Sequence, residues 1–113
     1  MKATAESYGH AVVLNVSGEL TDDCLSVFRQ MVDHHLGDVN VVDLVLDLQE
    51  VPFIDSAVLE YLVDLQMKLA ERMGQVKLAR CDDTLREILE ITRLASTFET
   101  VADPAEALRT ANA

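Results

Sequence analysis

Basic residues are scarce in this chain: nine lysines and arginines stand against twenty aspartates and glutamates, for a formal net charge of −11. A surface of that sign repels phosphate backbones, which argues against a nucleic-acid partner. No apolar run is long enough to span a bilayer and none has the layout of a secretory leader, so the chain is expected to be soluble and cytoplasmic, with no membrane contact. Cysteine is limited to Cys24 and Cys81, far apart and without metal-ligand spacing. They read as buried thiols in a reducing compartment. There is no glycine-rich phosphate loop, no Cys–His pairing, no internal repeat, no low-complexity tract and no linker. The paired acids Asp22-Asp23 and Asp82-Asp83 precede helical patterns, which explains them without catalysis. His34 and His35 fall in the last turn of a helix, where the dipole favours a cation, and no third ligand suits a metal.

What is present is alternation, over a length of 113 residues that suits a single domain. Lys2 to Tyr8 is a weak strand. After Gly9-His10 comes a stronger one at 11–16, and the short turn between them predicts an antiparallel hairpin. Thr21-Asp22-Asp23 opens a helix that runs to Gly37. Residues 41–48 are nearly all apolar, the pattern of a central strand covered on both sides. A second helix spans about 57–73, with Val58, Leu62, Leu65, Leu69 and Met73 on one stripe. Gly74 follows it where a left-handed residue is needed. Residues 76–80 form a strand, and a helix then starts at Asp82-Asp83-Thr84, with Thr84 and Glu87 in capping-box spacing. Residues 98–101 form the last strand. Asp103-Pro104-Ala105-Glu106 starts the last helix, ahead of a frayed tail at 110–113. The order β-β-α-β-α-β-α-β-α implies an α/β domain with a mixed, mostly parallel sheet of four to five strands and four helices.

In such sheets function gathers at the carboxyl ends of the strands. There lies the stretch Val45-Leu46-Asp47-Leu48-Gln49-Glu50-Val51-Pro52-Phe53-Ile54-Asp55-Ser56-Ala57-Val58-Leu59. It puts the Ser56 hydroxyl at a helix start, beside unpaired N–H groups and the positive end of the dipole. Two readings fit that position. Ser56 caps the helix, or it accepts a phosphoryl group that the helix end then helps to hold. Asp47 reads as a solvated strand-end carboxylate, and Tyr61 as a surface aromatic half covered by its neighbours.

The run Leu46-Asp47-Leu48-x-x-Val51-x-Phe53-Ile54-Asp55-Ser56-x-x-Leu59 resembles the signature of STAS domains, in particular the bacterial anti-sigma factor antagonists. Val16-Ser17-Gly18-Glu19-Leu20 is similar to the family's second strand and turn. Leu94, Phe98, Val101 and Glu106-Ala107-Leu108 are similar to its C-terminal pattern, so the resemblance covers 1–113 as one domain. It implies a regulatory switch in transcription, not an enzyme, with no cofactor and no metal. In the family, the dephosphorylated antagonist binds an anti-sigma factor that is also a GHKL-type serine kinase. Phosphorylation of the Ser in the Asp-Ser motif breaks the complex, and a phosphatase resets it. Carried over, Ser56 is the phosphoacceptor and Asp55 helps to orient it. The docking surface then comprises Asp55, Ser56, Ala57, Val58, Tyr61, Thr21 and Asp22, on a monomer or weak dimer. Ala57 and Val58 stand where the family commonly has Ser or Thr and then Gly, and a β-branched Val there is expected to project bulk toward a kinase. Thr21 takes the place of the family's Asp, and Arg93 that of a helix-ending Gly. The second reading is therefore a STAS module that works unphosphorylated, as a scaffold or as a subunit of a signalling or transport assembly.

Overall fold

The computed structural model describes residues 1–111, the side chains of 110 and 111 excepted. In chain order it contains β1 (Lys2–Tyr8), β2 (Ala11–Ser17), α1 (Asp22–Leu36), β3 (Asp43–Glu50), α2 (Ser56–Ala70), β4 (Val76–Ala79), α3 (Asp83–Ile91), β5 (Glu99–Val101) and α4 (Pro104–Ala111). The five strands lie in the order β1-β2-β3-β4-β5. β1 and β2 form the antiparallel hairpin, closing from Tyr8 to Ala11, and every later pairing is parallel. The expected α/β class, mixed sheet and element order are all observed.

Strand periodicity divides the core in two, because successive side chains point to opposite faces. Val12, Leu14, Val16, Leu44, Leu46, Leu48, Val76 and Leu78 form the larger face, under Phe28 and Val32 of α1, Leu62 and Leu65 of α2, and Leu85 and Leu89 of α3. Val13, Val45, Ala79 and Val101 face the other way, against Ala107 and Leu108 of α4. Lys77 also lies on that second side and is fully buried. Its Nζ donates to the Ala107 carbonyl at 3.1 Å and pairs with Glu99 Oε2 at 3.4 Å.

The helix ends depart from expectation in an instructive way. α2 stops at Ala70, and Met73, expected on its inner stripe, is 95 % exposed. The Met73 and Gly74 amides donate to the carbonyls of Ala70 and Leu69 at 3.0 and 2.8 Å, so the left-handed residue is Met73, φ 62°, and not Gly74. α3 ends in the same way. The Arg93 and Leu94 amides bond to Glu90 and Leu89, and Arg93 sits at φ 61°. A non-glycine residue in that region costs on the order of 1 kcal/mol. Arg93→Gly is therefore expected to raise stability by about 0.5–1 kcal/mol in urea denaturation, with an unchanged denaturant slope.

At the start of α3 the cap is Asp82, which accepts the Leu85 N–H at 2.9 Å, and not Thr84. Asp103 caps α4 as expected, accepting the Glu106 N–H at 2.8 Å, and Glu106 reaches back to the Ala102 N–H at 2.9 Å. α4 continues to Ala111, so the frayed tail does not begin at 110; residues 112 and 113 lie outside the described residues.

Candidate partner-docking surface

Beyond the carboxyl ends of β2 and β3 the two chain segments stay zipped together. Gly18 N–H donates to the Glu50 carbonyl at 2.9 Å, Leu20 N–H to Phe53 at 3.0 Å, and Asp55 N–H to Leu20 at 3.0 Å. Leu20 and Ile54 form a parallel bridge and are both buried, anchoring the two loops to the larger core. The 18–22 and 51–56 segments are thus one surface. Thr21 and Asp22 on one side and Asp55 and Ser56 on the other, distant in sequence, meet there.

Asp55 organises the meeting. It is the N-cap of α2, with extended backbone at φ −89° and ψ 174°, and its Oδ1 accepts the Val58 N–H at 3.0 Å. Its Oδ2 accepts the Asp22 N–H, the first amide of α1, at 2.8 Å. One carboxylate therefore serves the positive ends of two helices. Thr21 is the N-cap of α1, and its own N–H donates to Cys24 Sγ at 3.4 Å.

With Asp55 as the cap, Ser56 is the first residue of α2 and is exposed. Capping is thus not its role, and the choice between the two readings of this hydroxyl turns on its exposure. The amides of Ser56 and Ala57 belong to the first turn, where a helix supplies no carbonyl of its own. Ser56→Ala should shift stability by less than about 0.5 kcal/mol in thermal melts, since no cap is lost.

One expected surface residue, Val58, is corrected, and Tyr61 is half covered as expected. Val58 is 0 % exposed, because the start of α2 turns that position into the core. It presents no bulk to a partner. Tyr61 is half-buried between α1 and α2, its ring edge-on to Phe28 at 5.9 Å and under the Arg29 guanidinium at 5.0 Å. Burial, then the Asp33 carboxylate, push its hydroxyl up to about 12 against a partial offset from Arg29. The folded state holds that proton where the unfolded chain, near 10, has lost it. Tyr61 thus supports stability below pH 10, and that support fades as pH rises from 10 towards 12. Tyr61→Phe is expected to flatten this alkaline decline in pH-dependent unfolding.

Phe53, absent from the expected docking residues, also lies in the 51–56 segment and is 42 % exposed. Its position just after Pro52 in a turn, outside both hydrophobic periods, was the available sign. Asp47 is half-buried, with Arg80 Nε 3.9 Å away, and a partly solvated pair at that distance contributes little. Two larger clefts lie elsewhere: one of about 390 Å³ between α3, β5 and α4, and one of about 400 Å³ beside β1 and α4. Neither is lined by any residue of the 51–61 segment. Among the described residues no group of His, Cys, Asp and Glu is arranged to hold a metal, and no helix is long and apolar enough to cross a membrane.

The strand ends thus present a capped loop pair with an exposed serine and an exposed aromatic, next to a cleft of about 280 Å³ lined by Gln49, Glu50, Val51, Pro52 and Asp82. The chain belongs to the STAS domain family, whose model matches residues 2–107. Its fold is shared with an anti-sigma factor antagonist from Mycobacterium paratuberculosis at 24 % identity and a TM-score of 0.86, covering 99 % of this chain and 94 % of that one. The anti-sigma factor antagonist SpoIIAA in its unphosphorylated form superposes with a TM-score of 0.82 at 16 % identity, covering 99 % and 98 %. The phosphorylated form of the Bacillus protein gives 0.73 at 17 % identity, covering 96 % and 98 %. The murine anion transporter Slc26a9 gives 0.76 at 15 % identity, with 95 % of this chain matching 18 % of that one. No curated protein sequence matches the chain.

Proposed function

We propose that this domain is an anti-sigma factor antagonist that binds an anti-sigma factor with serine-kinase activity and is released when Ser56 is phosphorylated. A phosphatase would reset it. The observation that carries the reading is the exposed Ser56 hydroxyl at the first turn of α2, left free of capping duty by Asp55. Phosphorylation adds roughly −1.5 to −2 charges and three acceptor oxygens. The helix end tolerates that charge within the domain. A partner packed over Ser56 and Phe53 would instead face a dianion with no countercharge, which weakens a complex by several kcal/mol. The switch is therefore one of binding and not of folding. Two relatives in fold are anti-sigma factor antagonists by name, and one of them has been solved in both phosphorylation states.

The test is incubation with the cognate kinase and ATP, read by intact mass. One added phosphate is expected on the wild type and none on Ser56→Ala, while Phe53→Asp should abolish binding without unfolding the domain. The second reading, a module that works unphosphorylated within a larger assembly, draws on Ala57 in the motif and on the transporter domain of like fold. It predicts no phosphate uptake and binding that survives Ser56→Ala.

A further inference from the structure

β1 is an outer strand of the sheet, and its seven residues run in unbroken register against β2. Long edge strands ordinarily carry edge charges, a proline, a bulge or an inward charge that prevents pairing with another chain, and the edge charges of β1, Lys2 and Glu6, are of opposite sign. This one has no proline and no register shift, and its inward residues Ala3 and Ala5 are small and pack on the core. The opposite edge, β5, is protected by being only three residues long.

Which backbone groups of β1 are free follows from β2. The His10 carbonyl accepts from Val42 and Asp43, and Gly18 N–H donates to Glu50, so the even-numbered residues of this stretch turn toward β3. Its odd-numbered residues turn toward β1, where Ala11, Val13, Asn15 and Ser17 face Tyr8, Glu6, Thr4 and Lys2. The N–H and C=O groups of Ala3, Ala5 and Ser7 therefore point out of the sheet, unpaired by the fold.

We infer that β1 pairs antiparallel with β1 of a second copy about a two-fold axis at Thr4, joining the two sheets into one. A two-fold pairing must match residues of like parity, which leaves few registers. Centred on Thr4, Ala3 exchanges hydrogen bonds with the partner's Ala5, Thr4 meets the partner's Thr4, and Lys2 lies directly opposite the partner's Glu6. These last are non-hydrogen-bonded pairs, whose side chains approach most closely. Centring on Ala5 sets Lys2 against Tyr8 and forms no charge pair; centring on Glu6 sets two carboxylates together. The strand is self-complementary in one register only. The Glu6 carboxylate also accepts hydrogen bonds from Asn15 Nδ2 of β2 at 3.1 Å and from the Tyr8 hydroxyl, which limit its motion on the strand.

Sedimentation velocity of the full chain over a concentration series tests the pairing. A reversible dimer is expected. Lys2→Glu and Glu6→Lys should each raise its dissociation constant at least about tenfold, because each makes both symmetric pairs repulsive. An equimolar mixture of the two variants should recover a dimer, since every cross-strand pair is then opposite in sign. Ala5→Pro removes an outward donor while sparing the bonds to β2, so it should give a folded monomer by circular dichroism. A chain that stays monomeric up to about 1 mM would overturn the inference. So would a dimer indifferent to Ala5→Pro, or a failure of the mixed variants to associate.

Discussion

Gly74→Ala is expected to lower stability by about 3 kcal/mol, a fall of roughly 10–15 °C in melting temperature for a domain of this size. A Cβ at Gly74 would lie 1.8 Å from the Val42 carbonyl oxygen, 2.4 Å from its carbon and 2.9 Å from its Cβ. Two of those three atoms are backbone, held in place where β3 begins, so nothing flexible can swing aside. The same junction is tied by the Leu44 N–H to the Gln75 carbonyl at 3.1 Å and by the Gln75 N–H to Asp43 Oδ1 at 2.9 Å. Relieving the clash means prising the α2–β4 connection away from the sheet. Gly9→Ala is the control. Gly9 has φ 63°, yet a methyl group there would meet nothing within 4 Å, so only the left-handed strain applies, about 1 kcal/mol. Urea denaturation of both variants decides the matter. Equal losses would show that close approach at Gly74 is not the constraint.

Asp55→Ala is expected to cost about 2 kcal/mol, because it strips a cap from α2 and an acceptor from the first amide of α1 at once. Asp55→Asn keeps one side-chain oxygen and should lose about half as much. Under the proposed function the consequence extends to recognition. Without the carboxylate bridging Asp22 and Val58, the 18–22 loop is no longer tied to the start of α2, and the partner meets a surface that must be ordered on binding. Affinity should therefore fall for Asp55→Ala even at temperatures where the variant is fully folded. Isothermal titration alongside denaturation separates the contributions. Unchanged stability with lost binding would make Asp55 a direct contact and not a positioning residue.

The elements themselves were legible because their periods are strong. Val12, Leu14 and Val16 alternate on a two-residue period, and Phe28, Val32 and Leu36 recur every four residues; such patterns follow from chain geometry alone. The caps at Asp103 and Glu106 were equally plain, since a cap and its partner lie within one turn. Helix ends were harder. Met73 and Arg93 occupy left-handed positions that local preference assigns to glycine, and Gly74 is needed for Val42, a neighbour remote in sequence.

Local order, the apolar stripes and the nomination of Ser56 came from residues within a few positions of one another, where propensity and periodicity act. That Ser56 does not cap its helix, that Asp55 serves two helices, that Val58 is interior and Phe53 exposed, and that β1 leaves a self-complementary edge all depend on how distant segments pack. Those outcomes needed the folded chain, because a hydrogen bond from Asp22 to Asp55 or the burial of one helix face is settled by which surfaces meet, and no short stretch of sequence carries that information.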